Sequence, residues 1–130
     1  MAVSDPLSEL IVDADEIDRA ALARALKNRV AIDKASGRLV IEDGYDSLDA
    51  KRKVLALILV KKASRLLQAS DAETLSYKEL VSNSGIPEGT VAPALKALKE
   101  AHLVAQDGNK AYYVPNASML RAIRFLENRA

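Results

Sequence analysis

Hydrophobic and polar positions in the first part of the chain follow two different periods. Between residues 8 and 29, apolar residues recur at helical spacing and acidic residues come early. This pattern predicts a helical stretch whose weakest point lies at residues 12–15. From residue 30 onward, two β-like runs, "VAI" and "RLVIE", flank the turn-forming segment "DKASG". We therefore predict an N-terminal helix followed by a β-hairpin.

The most apolar part of the chain is the run "VLALILV" at residues 54–60. The run alone suits a buried strand as well as a helix, but its flanks lack Gly and Pro and extend it to a helix over residues 50–69. Ser47 is placed to cap this helix, with Asp49 in its first turn. Because apolar residues surround the helix for two turns, we expect the N-terminal region or another subunit to cover the face that the remaining core leaves open.

The clearest local signal is a capping box in "LSYKEL", where Ser76 precedes Glu79 by three residues. Leu75 and Leu80 flank it at the positions of a hydrophobic staple, and Gly85 suits a left-handed residue at the end of the helix. These residues predict a helix over residues 77–84.

A further helix over residues 88–101 follows a short turn. If Thr90 caps it, Pro93 falls in the first turn, where a missing N–H costs little; if it begins at Glu88, Pro93 lies inside it and should kink it. An advance of 100° per residue divides the helix into two faces. The core-facing side comprises Val91, Ala94, Leu95 and Leu98. The outward side comprises Gly89, Pro93, Lys96, Ala97 and Glu100, flanked by Thr90 and Ala92.

The last part of the chain predicts a hairpin and a helix. Two alternating runs surround "DGN" at residues 107–109, and of the two tyrosines that follow, Tyr113 is predicted to be buried rather than Tyr112. In the helix predicted for residues 117–130, one apolar stripe comprises Leu120, Ile123 and Leu126.

Composition removes several classes of function. The 130 residues are 49% hydrophobic and 28% charged, as expected for one folded domain. There is no cysteine and only one histidine, His102, which excludes disulfides, thiolate chemistry and multi-histidine metal sites. The apolar runs are too short for a membrane span, no signal peptide is evident, and no phosphate-loop, nucleophile-elbow or dinucleotide-binding motif is present. We expect a cytoplasmic protein that is not an enzyme and has no cofactor or metal.

Charge is distributed unevenly along the chain. Residues 1–50 contain 6 Lys/Arg against 11 Asp/Glu, a net charge of −5, whereas residues 51–130 contain 13 against 7, a net charge of +6. A polyanion would therefore meet the second part of the chain.

The order of predicted elements over residues 48–115 resembles a winged helix-turn-helix domain. Leu80, Ile86, Val91 and Ala94 fall where that motif has its core contacts, and Gly85 falls at its turn glycine, whereas Ser84 stands where an apolar residue is more usual. The resemblance implies a mainly α fold with small β-hairpins (α+β). It divides the chain into an N-terminal helix-plus-hairpin extension, residues 1–47, and a winged helix domain with a C-terminal helix, residues 48–130.

The resemblance also implies double-stranded DNA binding, with helix 88–101 in the major groove and the wing on phosphates. The expected role is transcription regulation or genome maintenance. Base specificity should be modest, because only Lys96 on the outward face is of a type that commonly hydrogen-bonds to base edges, although Thr90 and Ala92 can touch a thymine methyl. The candidate DNA-contacting residues are Lys78, Thr90, Ala92, Lys96, Lys99, Lys110, Arg121 and Arg124.

Two other partners stay open at this point. A winged helix domain can instead serve as a protein–protein interaction module in a larger complex, docking through helix 88–101 or the acidic N-terminal part. A homodimer is also predicted, from the apolar surround of helix 50–69 and the amphipathic C-terminal helix.

Overall fold

A computed structural model describes residues 5–11 and 17–128 of the chain. In this part the fold is α+β, with helices and small antiparallel hairpins as the sequence predicts. The helices are α1 (Arg19–Leu26), α2 (Ala50–Leu66), α3 (Tyr77–Ser84), α4 (Glu88–Glu100) and α5 (Met119–Glu127). The strands are β1 (Val30–Ile32), β2 (Leu39–Ile41), β3 (Ala105–Gln106) and β4 (Tyr112–Tyr113). Short 3₁₀ helices span Pro6–Leu10, Asp43–Tyr45 and Asn116–Ser118.

The N-terminal helical stretch is shorter than predicted and is described in two pieces. Asp5 caps the 3₁₀ helix Pro6–Leu10, and Asp18 caps α1 by accepting a hydrogen bond from the Ala21 N–H. The predicted weak point at residues 12–15 lies outside the described residues. Two of the acidic residues in this part of the sequence therefore stabilise helix starts.

The first hairpin confirms the predicted β1–turn–β2 segment. Its register pairs Val30 with Ile41 and Ile32 with Leu39. In the turn, the Asp33 carboxylate accepts hydrogen bonds from the hydroxyl and the N–H of Ser36, both at 2.7 Å, and these bonds lower the pKa of Asp33. The carboxylate of this segment thus has a structural role in the turn.

The cap of α2 differs from the prediction. Asp49, not Ser47, precedes the helix, and its Oδ1 accepts from the Arg52 N–H at 3.0 Å. Ser47 lies just after the 3₁₀ turn of Asp43–Tyr45 and donates to the Gly44 carbonyl at 3.0 Å. Ser47 therefore belongs to the preceding turn, and the Asp49 carboxylate is the acceptor at the helix start.

Helix α2 lies at the centre of the hydrophobic core. All residues from Val54 to Val60 are buried, and α2 contacts α1, the first hairpin, α3, α4 and α5. The N-terminal region therefore covers the face of α2 that was predicted to need a second partner, and no second subunit is required to bury it. Of the predicted stripe of α5, Ile123 and Leu126 are buried as expected, whereas Leu120 is 49% exposed. The other buried residues of this helix are Met119 and Ala122. Neither feature that suggested a homodimer requires a second subunit.

The turn between α3 and α4 is closed by hydrogen bonds. The predicted capping box of α3 is present, and Gly85 has the predicted left-handed conformation with φ of 73°. The Ser84 hydroxyl donates to the Val81 carbonyl and accepts from the Ile86 N–H, both at 3.3 Å. Polar Ser84 is therefore buried with its hydrogen bonds made, where the motif more often has an apolar contact.

Helix α4 begins at Glu88, so the second of the two predicted starts is the observed one. Thr90 lies inside the helix, with its N–H bonded to the Pro87 carbonyl at 2.9 Å, and it is not the cap. Pro93 is therefore internal and cannot donate to the carbonyl of Gly89. Both residues are exposed, so water can reach that carbonyl. The predicted core face of the helix is confirmed by burial of Val91, Ala94, Leu95 and Leu98.

The second hairpin is extended by one residue from outside it. Leu75 exchanges two backbone hydrogen bonds with Tyr112, at 2.9 and 2.8 Å. Tyr112 therefore lies between Leu75 and β3, and it packs against the core. The prediction that Tyr113 is the buried tyrosine is wrong: both tyrosines are half-buried, and it is Tyr112 that packs against the core.

Candidate nucleic-acid interface

The outward face of α4 is flat. Gly89, Thr90, Ala92 and Pro93 are all exposed in the first two turns, and none has a side chain larger than threonine or proline. A Cβ atom built on Gly89 would meet no atom within 4 Å apart from its chain neighbours and the adjacent backbone of its own helix. Another molecule can therefore approach the helix backbone closely at this point.

One flank of α4 forms a groove with two tyrosines. The groove encloses about 320 Å³. Its lining includes Tyr77, Ala92, Lys96, Lys99, Glu100 and Tyr112. Tyr77 is the first residue of α3 and Tyr112 lies in β4, so three elements meet here. These tyrosines were not among the candidate residues, because only the α3–α4 turn and the pairing of Leu75 with β4 bring them beside α4.

Tyr77 also connects the start of α3 to the start of α4. Its hydroxyl donates to the Glu88 carbonyl oxygen at 3.2 Å. Partial burial raises the pKa of Tyr77, and the nearby Glu88 carboxylate raises it further. The Glu88 side chain is therefore on the tyrosine flank of α4.

Three of the candidate lysines are available to an external anion. Lys78, Lys96 and Lys110 are exposed, and within residues 5–11 and 17–128 their ammonium groups form no hydrogen bond or ion pair. Lys110 stands at the turn of the second hairpin with φ of 63°. The structure thus distributes free cations over α3, α4 and the hairpin.

Lys99 is different, because it already has a partner. Its ammonium donates to Gln106 Oε1, and Gln106 Nε2 donates to the Lys110 carbonyl at 3.2 Å. This chain of contacts ties α4 to the turn of the second hairpin. Lys99 is exposed, so it can contact a phosphate while keeping or exchanging this bond.

Arg121 and Arg124 lie at the other end of α4. Arg121 donates to the Ala101 carbonyl at 3.0 Å, and both arginines line a separate groove with Phe125. Thr90 precedes Ala101 by 11 residues, which is roughly 16 Å along a helix. The two arginines line this second groove and are not among the residues that line the groove beside Tyr77.

The remaining chemistry on the surface is sparse. In the described residues no group of three or more His, Asp or Glu side chains is arranged to hold a metal ion. No helix in the same residues has the length and apolar content needed to cross a membrane. His102 is exposed at the end of α4, where its carbonyl accepts from the Ser118 hydroxyl at 2.9 Å.

The geometry defines an α+β protein with a short helix pair, α3 and α4, whose exposed face lies beside a small hairpin and free lysines. Comparison with known proteins adds no relative: no family model, no curated protein sequence and no solved structure matches the chain.

Proposed function

We propose that the chain is a winged helix-turn-helix protein that binds double-stranded DNA in transcription regulation or genome maintenance. The supporting observation is the exposed outward face of α4 together with the unpartnered ammonium groups of Lys78, Lys96 and Lys110. The order α2, α3, α4 and hairpin is the order of a winged helix domain, in which α4 is the recognition helix and β3–β4 the wing.

On this proposal α4 enters the major groove through its small residues. Gly89 and Pro93 have small side chains or none, so the helix backbone can approach the bases closely. The lysines on either side then contact the phosphates that border the groove. Glu88 and Glu100 oppose binding by repulsion, so affinity comes mainly from the lysines. Such binding depends strongly on salt.

The first test measures that salt dependence. If Lys78, Lys96, Lys99 and Lys110 each neutralise one phosphate, the affinity for a duplex should fall on the order of 100-fold between 50 and 200 mM salt. In fluorescence anisotropy, the Lys96→Ala, Lys99→Ala, Lys110→Ala variant should bind more weakly at low salt and with a shallower salt slope.

The matched control removes the same charge elsewhere. Lys27, Lys34 and Lys51 are exposed and lie outside the α4 groove, so their triple alanine variant should keep the wild-type slope. An equal loss of DNA affinity in both triple variants would contradict a specific role for the α4 lysines, because it would follow from net charge alone. No binding by the wild type at low salt would overturn the proposal.

A second test uses the open space at Gly89. Gly89→Glu places a carboxylate in the middle of the outward face, where a Cβ meets only its chain neighbours and the backbone of its own helix within 4 Å. We expect thermal stability equal to or above that of the wild type, because a helix favours Glu over Gly and an acidic residue in its first turn. DNA affinity should fall at least tenfold, by about 1.4 kcal/mol or more. Ala23→Glu, on the exposed side of α1, is the control and should leave affinity unchanged.

One observation favours the alternative, a protein–protein interaction module. Leu7, Leu10 and Ile11 are 67%, 74% and 79% exposed on an acidic segment far along the chain from α4. Such a segment suits an apolar groove on another protein. Recovery of one stoichiometric protein partner by the wild type but not by a Leu7→Asp, Leu10→Asp variant, with no duplex binding, would favour this function.

A further inference from the structure

The first two turns of α4 carry no Arg, Lys, Asn or Gln, the side chains that most often read guanine and adenine by hydrogen bonds. Their exposed residues are Glu88, Gly89, Thr90, Ala92 and Pro93, and the first cation, Lys96, comes in the third turn. Guanine is usually read by Arg or Lys, and adenine by Asn or Gln. If α4 enters the major groove as proposed above, that reading is not available where the helix N-terminus meets the bases.

The polar groups that are present in these turns are few. Glu88 lies on the flank beside Tyr77, where its carboxylate raises the tyrosine pKa and its carbonyl accepts the tyrosine hydroxyl. A contact from Glu88 to a cytosine amino group would have to leave that flank. The Thr90 hydroxyl bonds equally well to a donor or an acceptor, so it discriminates little between bases.

What the face does offer is apolar surface. The side chains of Ala92 and Pro93 are exposed and consecutive in the chain, and Thr90, which is also exposed, lies on the far side of Pro93 from Ala92. In the major groove, the base feature that matches an apolar side chain is the C5-methyl group of thymine. 5-Methylcytosine carries a methyl group at the same ring position.

We propose that this face discriminates duplexes by the C5-methyl groups of their pyrimidines, with Ala92 and Pro93 as the specificity-determining residues. The inference rests on the proposed DNA binding and names the chemical feature of the duplex by which the site would select it. Thymine is preferred to uracil and 5-methylcytosine to cytosine. Each methyl group that the face buries contributes about a fourfold difference in Kd.

The test compares duplexes that differ only in these methyl groups. An alternating dA-dT duplex is compared with the same duplex containing deoxyuridine, and an alternating dG-dC duplex with its 5-methylcytosine form, by competition anisotropy at one low salt concentration. We expect the wild type to bind each methylated duplex at least fourfold more tightly. The salt slopes should be equal within each pair, because the phosphate contacts are the same.

A protein variant separates contact with the methyl group from its effect on DNA shape. The Ala92→Ser, Pro93→Ser variant replaces exposed apolar groups with hydroxyls and should bind the two members of each pair equally, whereas Ala23→Ser on α1 should keep the preference. Equal binding of methylated and unmethylated duplexes by the wild type, with the salt slope intact, would overturn the inference and leave DNA binding standing. A preference that survives in the double variant would also overturn it, since DNA shape would then be its source. Absence of binding to every duplex would overturn both proposals.

Discussion

Replacing Glu73 by alanine is expected to destabilise the protein by about 3 kcal/mol, whereas replacing Lys62 by methionine should change stability by less than about 1 kcal/mol. The two side chains form one ion pair, with 2.8 Å between Lys62 Nζ and Glu73 Oε1. The Lys62 side chain is 2% exposed and that of Glu73 is 34% exposed. Removing the glutamate leaves a buried ammonium without its partner, whereas removing the lysine leaves a carboxylate that water already reaches.

Urea unfolding followed by circular dichroism measures both variants. The Lys62→Met, Glu73→Ala double variant should have the same free energy of unfolding as Lys62→Met alone, because without the Lys62 ammonium no buried charge needs Glu73 as a partner. Glu73→Gln, which keeps an oxygen acceptor at the same place, should recover part of the loss. If Lys62→Met lowers the free energy of unfolding as much as Glu73→Ala does, the unequal effect expected from the unequal burial of the two side chains is contradicted.

The second large effect is expected at Tyr45, which joins the N-terminal extension to the α3–α4 turn. Its buried hydroxyl donates to the Ser84 carbonyl at 2.7 Å, and the Lys53 ammonium lies 5.5 Å from the centre of its ring. Tyr45→Phe keeps the ring but leaves that carbonyl buried without this donor, at a cost of about 2 kcal/mol. Tyr113→Phe is the matched control, since the Tyr113 hydroxyl makes no hydrogen bond to the described residues, and should cost less than about 0.5 kcal/mol.

The Tyr45 hydroxyl also makes the free energy of unfolding depend on pH in the alkaline range. Burial, followed by the charge of Asp46, raises the pKa of Tyr45 from its ordinary value of 10.0 to about 12. The folded state therefore holds this proton more tightly than the unfolded state. Its stabilising contribution is complete below pH 10.0 and is lost as the pH rises towards about 12. Across that range the wild type should lose up to about 1.4 kcal/mol per pH unit more than Tyr45→Phe; parallel pH profiles would contradict the assignment.

Signals that depend on a few neighbouring residues were predicted well from the sequence. The capping box of Ser76 and Glu79, the left-handed Gly85 and the core face of α4 all appear as expected. Each is set by local backbone geometry or by helical period, so the rest of the fold has little opportunity to change it.

The errors arose where two residues offered the same local signal. Ser47 and Asp49 can both cap a helix, and only the preceding 3₁₀ turn selects Asp49. Met119 and Leu120 begin two overlapping apolar stripes, and the packing of α5 against the core selects the stripe of Met119. Tertiary packing decides these cases, and the sequence pattern does not contain it.

The candidate site was predicted in part for the same reason. Exposure of Lys78, Lys96 and Lys110 follows from their positions outside the apolar face. The pairing of Lys99 with Gln106, the placement of Arg121 at the far end of α4 and the tyrosines beside the groove all depend on contacts between elements distant in the sequence.

The central position of α2 also determines how the protein opens in its native state. The amides of residues 54–60 are covered on every side, so local fluctuations of α1, the first hairpin or α5 each expose only one flank of the helix. Exchange of these amide protons with solvent then requires the whole core to separate. Their exchange rates in heavy water therefore report the global free energy of unfolding, and α2 is the last element to give up its protons.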